Sequence, residues 1–132
     1  MEFDEGLNWY VGSAVVRDEC LEIHISLDGC IDERALFAIT EERVRRLNSR
    51  IQTAKQYAAV SLAKQINTQW LIASAGTLSP IDLAAQFRVR SLTVYPDGTD
   101  EIVLGPEILF SGHCVIVSSD GSGKFLEATV AG

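Results

Sequence analysis

Residues 32–70, DERALFAITEERVRRLNSRIQTAKQYAAVSLAKQINTQW, decide the fold, and they contain neither proline nor glycine. Leu36, Ile39, Leu47, Ile51, Ala54, Ala58, Leu62, Ile66 and Trp70 recur mostly at steps of three and four residues, and Val44 and Ala63 widen the stripe. That is the period of an α-helix with one apolar face. Asp32 suits the N-cap, where its carboxylate can accept from the first unpaired amides. Unbroken, such a helix would run about 55 Å at a rise of ~1.5 Å per residue. A domain of this length has a radius of gyration of only about 14 Å. The helix is therefore expected either to break between Thr40 and Ser49 or to be covered by a second subunit. Thr40 can cap a new helix with Glu41 and Glu42 in its first turn and an Ile39–Val44 staple, and Asn48-Ser49 is the other weak point.

On the N-terminal side, an acidic start is followed by Leu7 to Val16, which is rich in aromatic and β-branched residues and reads as a strand. Arg17-Asp18-Glu19 is a polar turn. Leu21, Ile23, Ile25 and Leu27 then alternate with Glu22, His24 and Ser26, giving a second strand with one buried face. On the C-terminal side, Leu71 to Leu78 reads as a connector. Ser79-Pro80-Ile81-Asp82 opens a short helix with Ser at N-cap and Pro at N1, ending near Phe87. Strand signals follow at Val89 to Tyr95, Glu101 to Leu104, Ile108 to Ser118 and Phe125 to Val130. Pro96-Asp97-Gly98-Thr99, Gly105-Pro106 and Asp120-Gly121-Ser122-Gly123 separate them. The expected fold is α+β: an antiparallel sheet of five or six strands, made of an N-terminal hairpin and a C-terminal meander. A long or broken central helix and one short helix pack on one of its faces, in a single domain over residues 1–132.

The chain has 132 residues, 47% of them hydrophobic, and a net charge of -7. That is enough length for a real core. The charge argues against nucleic-acid binding, which draws its affinity from Lys and Arg, and it suits a basic protein partner. The start Met-Glu-Phe-Asp-Glu lacks the basic and apolar regions of a signal peptide, and no apolar run reaches the length of a membrane span, so a cytoplasmic protein is expected. Cys20, Cys30 and Cys114 are an odd number without CxxC spacing and read as reduced thiols.

Gly121-Ser122-Gly123-Lys124 echoes a phosphate-binding loop, but Phe125 and a closing strand follow where that loop needs a helix, so it reads as a hairpin turn. His113 and Cys114 are neighbours in a strand and point to opposite faces, which argues against a dyad. His24 could approach either from another strand, yet ligand number and spacing do not support a metal or nucleophile site. Arg43, Arg45, Arg46 and Arg50 form the one basic cluster. Glu41 and Glu42 stand four residues before Arg45 and Arg46, so the cluster reads as a self-compensated, solvated face. Trp9, Tyr10, Trp70, Phe110 and Phe125 read as core or sheet-edge aromatics. No catalytic, cofactor-binding or metal-ligating set emerges. The candidate pocket or interface residues are His113, His24, Trp70 and Phe110.

Phe110-Ser111-Gly112-His113-Cys114-Val115-Ile116-Val117, an Asp-Gly turn and Ala128-Thr129-Val130-Ala131-Gly132 resemble an uncharacterised bacterial family of small α+β domains with a Phe-x-Gly-His strand and a closing Gly. Asn67-x-x-Trp70, Leu78-Ser79 and Pro96-Asp97-Gly98 stand in the expected order upstream, while Ser111 replaces a frequent aromatic. Some domains of this kind look like immunity proteins. The resemblance therefore implies a binding role, transfers no catalytic residue and points to no cofactor.

The leading expectation is a non-enzymatic cytoplasmic domain that acts through a protein partner, as an acidic immunity-type antagonist of a basic one. The alternative is a small-molecule binder or minor enzyme with a pocket between sheet and helices near His113 or His24. A third reading is a homodimer through the 32–70 helix.

Overall fold

The computed structural model describes residues 2–6, 9–30, 32–70, 77–106 and 112–131. In these residues seven strands form one sheet in sequence order. They are β1 (Glu2–Asp4), β2 (Trp9–Val16), β3 (Glu19–Ser26), β4 (Arg88–Val94), β5 (Asp100–Gly105), β6 (Cys114–Ser119) and β7 (Phe125–Ala131). Three helices, α1 (Glu33–Arg45), α2 (Leu47–Gln65) and α3 (Pro80–Gln86), with a π-helical turn Ile66–Trp70 after α2, connect β3 to β4. The α+β architecture is as expected, with two differences. The sheet has seven strands rather than five or six, and β3 pairs with β4 in parallel, so the hairpin and the meander are joined through a crossover.

The missed strand, β1, pairs Glu2, Phe3 and Asp4 with Val11, Tyr10 and Trp9. Its composition is that of a frayed start, and only pairing makes it a strand. The β2–β3 hairpin turns on Arg17 and Asp18, both at positive φ (49° and 67°), as a two-residue turn matched to strand twist requires. Alternation then places Leu21, Ile23 and Ile25 on the helix side, each at most 4% exposed, with Cys20, Glu22 and His24 on the other side. In β4 the register shifts between Val89 and Ser91, a bulge at Arg90 that brings Ser91 and Thr93 onto the same uncovered face as Glu22 and His24.

The long helix breaks at Arg46, inside the expected window. Thr40, however, is no cap. It lies within α1, buried, and its hydroxyl donates to the Leu36 carbonyl at 2.9 Å. Asp32 does cap α1, accepting from the Ala35 amide at 3.2 Å, and Ser79 caps α3, accepting from the Asp82 amide at 3.2 Å. Leu47, Ile51, Ala54, Ala58 and Leu62 line the buried side of α2, and Ile66 continues that side into the π-helical turn. The three alanines at 54, 58 and 59 are wholly buried and let α2 approach its neighbours closely. Together with Leu83, Phe87, Leu92, Val94, Ile102, Leu104, Val115 and Val117 these residues form one apolar cluster. It lies between the sheet and the helices. The apolar stripe considered for a second copy is largely buried within the chain.

The helical layer is also tied by polar contacts. Lys55 on α2 is buried and donates to Glu19 Oε2 at 2.7 Å, while Glu19 Oε1 accepts from the Val89 amide at 2.7 Å, so one carboxylate links α2, the β2–β3 hairpin and β4. Asn67 donates to the Leu78 carbonyl at 2.7 Å and accepts from the Leu78 amide at 2.8 Å, clasping the start of the α3 segment. No helix among the described residues is long and apolar enough to cross a membrane.

Candidate functional site

The face of the sheet away from the helices carries His24. Its ring stacks on Trp9 at 4.4 Å, its Nε2 lies 2.9 Å from Glu22 Oε2, and its Nδ1 lies 3.5 Å from Thr93 Oγ1. Trp9 Nε1 is buried without a hydrogen-bond partner among the described residues. Ser13, Cys20, Glu22, His24, Arg90, Ser91 and Val103 border a shallow hollow of about 540 Å³ on this face. Further along, Tyr95 donates to Glu101 at 2.6 Å, and burial, followed by that carboxylate, pushes the Tyr95 hydroxyl up to about 12.

His113 sits half-buried just before β6, and Cys114 begins β6. Strands β4 and β5 lie between β3 and β6, which at ~4.8 Å per strand places His24 about 14 Å or more from Cys114. The structure does not bring the two histidine positions into one site. Trp70 ends the π-helical turn, but its side chain, like the whole of Phe110, lies outside the described residues. No group of three or more His, Cys, Asp or Glu able to hold a metal occurs among the described residues. No disulfide joins the cysteines.

The antiparallel registers bring four connections to one end of the sheet: β1–β2, β3–α1, β4–β5 and β6–β7. Asp28, Gly29, Asp32, Tyr95, Asp97 and Thr99 border an open hollow of about 710 Å³ there. Asp97 accepts from the Thr99 hydroxyl at 2.6 Å and the Thr99 amide at 2.9 Å. Asp120 accepts from the Ser122 hydroxyl at 2.6 Å and from the amides of Ser122 and Lys124. Those hydroxyl bonds first, and the amide bonds after them, hold both carboxyls below the usual range, so the turns are anionic at any physiological pH.

The same end contains what the sequence reading missed. Arg45 and Arg46 pair with Glu41 and Glu42 on the surface, each at 3.4 Å, as expected. Arg43 and Arg50 are instead buried or nearly so. Arg43 Nε donates to Asp100 Oδ2 at 2.9 Å, and its Nη2 donates to the carbonyls of Gly98 and Gly121, each at 3.1 Å. Arg50 Nη2 donates to both Asp100 oxygens, at 2.8 and 2.7 Å, and its Nη1 to the Gly123 carbonyl at 2.7 Å. Asp100 is fully buried and also accepts from Ser119 at 2.6 Å. The expectation of a solvated arginine face is thus corrected at these two positions. One signal was available: Arg43 falls in the apolar stripe itself, between Thr40 and Leu47 at steps of three and four, and Arg50 stands seven residues on. Desolvation by burial lowers the Arg50 pKa; the Asp100 charge opposes that shift and the Arg43 charge adds to it.

A family model described as "Uncharacterized protein conserved in bacteria (DUF2262)" matches residues 1–130. The chain belongs to this family. Among curated proteins and solved structures nothing matches.

Proposed function

We propose that this DUF2262 protein works by binding another protein, presenting the acidic turn end of its sheet to a basic surface, in the manner of an immunity-type antagonist. The observation that carries this reading is how the charges are distributed. Five of the cations are engaged within the fold: Arg43 and Arg50 on Asp100, Lys55 on Glu19, and Arg45 and Arg46 on neighbouring glutamates. Asp28, Asp32 and Asp97 meanwhile gather around an open hollow, with Asp120 on the adjacent turn. The carboxylates of Asp97 and Asp120, held ionised by the hydroxyl and amide bonds of their own turns, are preorganised for a cationic partner, and the cluster as a whole gives long-range steering.

The test is titration calorimetry against the products of genes adjacent to its own, at low and high salt, with co-expression to score protection if one of them is toxic. A triple variant, Asp28→Asn, Asp32→Asn and Asp97→Asn, keeps the α1 cap because Asn caps as well as Asp. The expected result is weaker binding and a shallower salt dependence in the variant. A partner bound with unchanged affinity and unchanged salt slope would remove the acidic end from the interface.

A further inference from the structure

We propose that the α1–α2 junction is a binding site for a small oxyanion, phosphate or carboxylate, held by Arg43 and Arg46. At the break in the long helix a hollow of about 210 Å³ opens beside Arg43, Arg46, Arg50, Glu42 and Gly123. Two guanidinium groups, Arg43 and Arg50, share the single carboxylate of Asp100, so the inner cluster keeps one positive charge. Asp100 has no further capacity to offer. Both its oxygens are bonded to arginine, and Ser119 donates to it as well.

Arg43 is the residue that aims this surplus charge outward. Its side chain is nine-tenths buried, and its Nε and Nη2 are bonded to Asp100, Gly98 and Gly121. Its Nη1 has no acceptor among the described residues. That nitrogen lies on the side of Gly123, where an added Cβ would meet it at 3.4 Å, and Gly123 and Arg43 both line the hollow. Across the opening, Arg46 is 71% exposed and makes only a 3.4 Å surface contact with Glu42, a pairing that a stronger anion can displace. Gly123 in the left-handed region (φ +88°) leaves the wall without a side chain. The hydroxyls of Ser49 and Ser122 donate to the Arg46 carbonyl and to Asp120, so recognition falls to the guanidinium groups, whose forked donors fit a planar or tetrahedral oxyanion.

The site goes beyond the acidic docking surface and is tested without a partner. Binding of inorganic phosphate and of acetate is measured separately by calorimetry and by thermal unfolding, each against chloride at matched ionic strength. Two surface variants move the affinity in opposite directions. Arg46→Gln weakens it by about tenfold. Glu42→Gln, which removes the competing carboxylate, tightens it severalfold. Saturable binding of phosphate but not acetate assigns the site to a phosphate-bearing ligand, and the reverse assigns it to a carboxylate. If neither anion exceeds chloride, or if Arg46→Gln leaves the dissociation constant unchanged, the proposal is overturned. Both substituted side chains are at least half exposed and lie outside the packed core, so loss of folding does not confuse the result.

Discussion

Replacing Asp100 with asparagine isolates the charge at the centre of the arginine cluster. The side chain is fully buried, and asparagine keeps its size and one carbonyl oxygen. Its amide group, however, would point N–H donors at Arg43 Nε or Arg50 Nη2, which now sit 2.7–2.9 Å from a carboxylate oxygen. Two buried guanidinium groups would be left without a counter-charge. Breaking a buried pair in this way costs about 3–5 kcal/mol, because desolvated charge remains uncompensated. The entropy of unfolding, about 2.1 cal/mol/K per residue, comes to roughly 0.28 kcal/mol/K for a chain this long, so the midpoint should fall by about 11–18 °C. Urea unfolding followed by circular dichroism gives the free energy directly, and a calorimetric scan gives the midpoint. Arg45→Gln, which breaks only the exposed contact with Glu41, is the control and should change stability by less than about 0.5 kcal/mol. A loss for Asp100→Asn below about 1 kcal/mol would refute the reasoning, since the two arginines would then have to be hydrated rather than compensated by Asp100.

Gly123→Ala should destabilise by about 1–3 kcal/mol more than Gly29→Ala, measured by urea unfolding. Both glycines have positive φ, but a Cβ on Gly123 would lie 3.0 Å from Arg50 Nη1, while one on Gly29 meets nothing within 4 Å. Absorbance titration of the three tyrosines should show one, Tyr95, ionising at about 12, and Glu101→Gln should lower that value. The folded hydroxyl titrates above the unfolded one, so its contribution is complete below about pH 10 and is lost as the pH rises through the folded value. The turn carboxyls Asp97 and Asp120 titrate below their unfolded range. Their contribution is therefore present above about pH 4 and lost as the pH falls through the folded values. The stability gap between wild type and an Asp97→Asn, Asp120→Asn variant should accordingly close on acidification.

What could be read from sequence and what could not divide along physical lines. The caps Asp32 and Ser79, the Pro80 start and the alternation of Leu21 to Ile25 are local, and local chemistry decides them. The break near Arg46 followed from length alone, but its position did not. Thr40, chosen as a cap for its residue type, bonds back to Leu36 inside a continuous turn instead. The parallel β3–β4 pair was not legible, because alternation reveals faces and not neighbours. Arg43 and Arg50 were misassigned because their compensating acid lies 57 and 50 residues away, whereas Arg45 and Arg46 have theirs one turn away. Among the four candidate site residues, His24 is held by Trp9 and Glu22 on the uncovered face and His113 stands apart from it. The acidic turn end depended on strand order, which no motif encodes.

The parallel pair also divides the sheet into two stretches of chain. Strands β1 to β3 are neighbours along the chain, as are β4 to β7, so each group can assemble from short-range contacts. The seam between them joins Glu22 to Ser91 and Ile25 to Val94, with the three helices lying between its two strands in the chain. Closing so distant a contact carries the largest chain-entropy cost in this sheet, and contacts of that kind slow folding. On a ribosome the N-terminal strands would emerge with an open edge at β3. In the folded chain Glu19, at the start of that edge, ties both sides of the seam together, accepting from Lys55 on α2 and from the Val89 amide on β4.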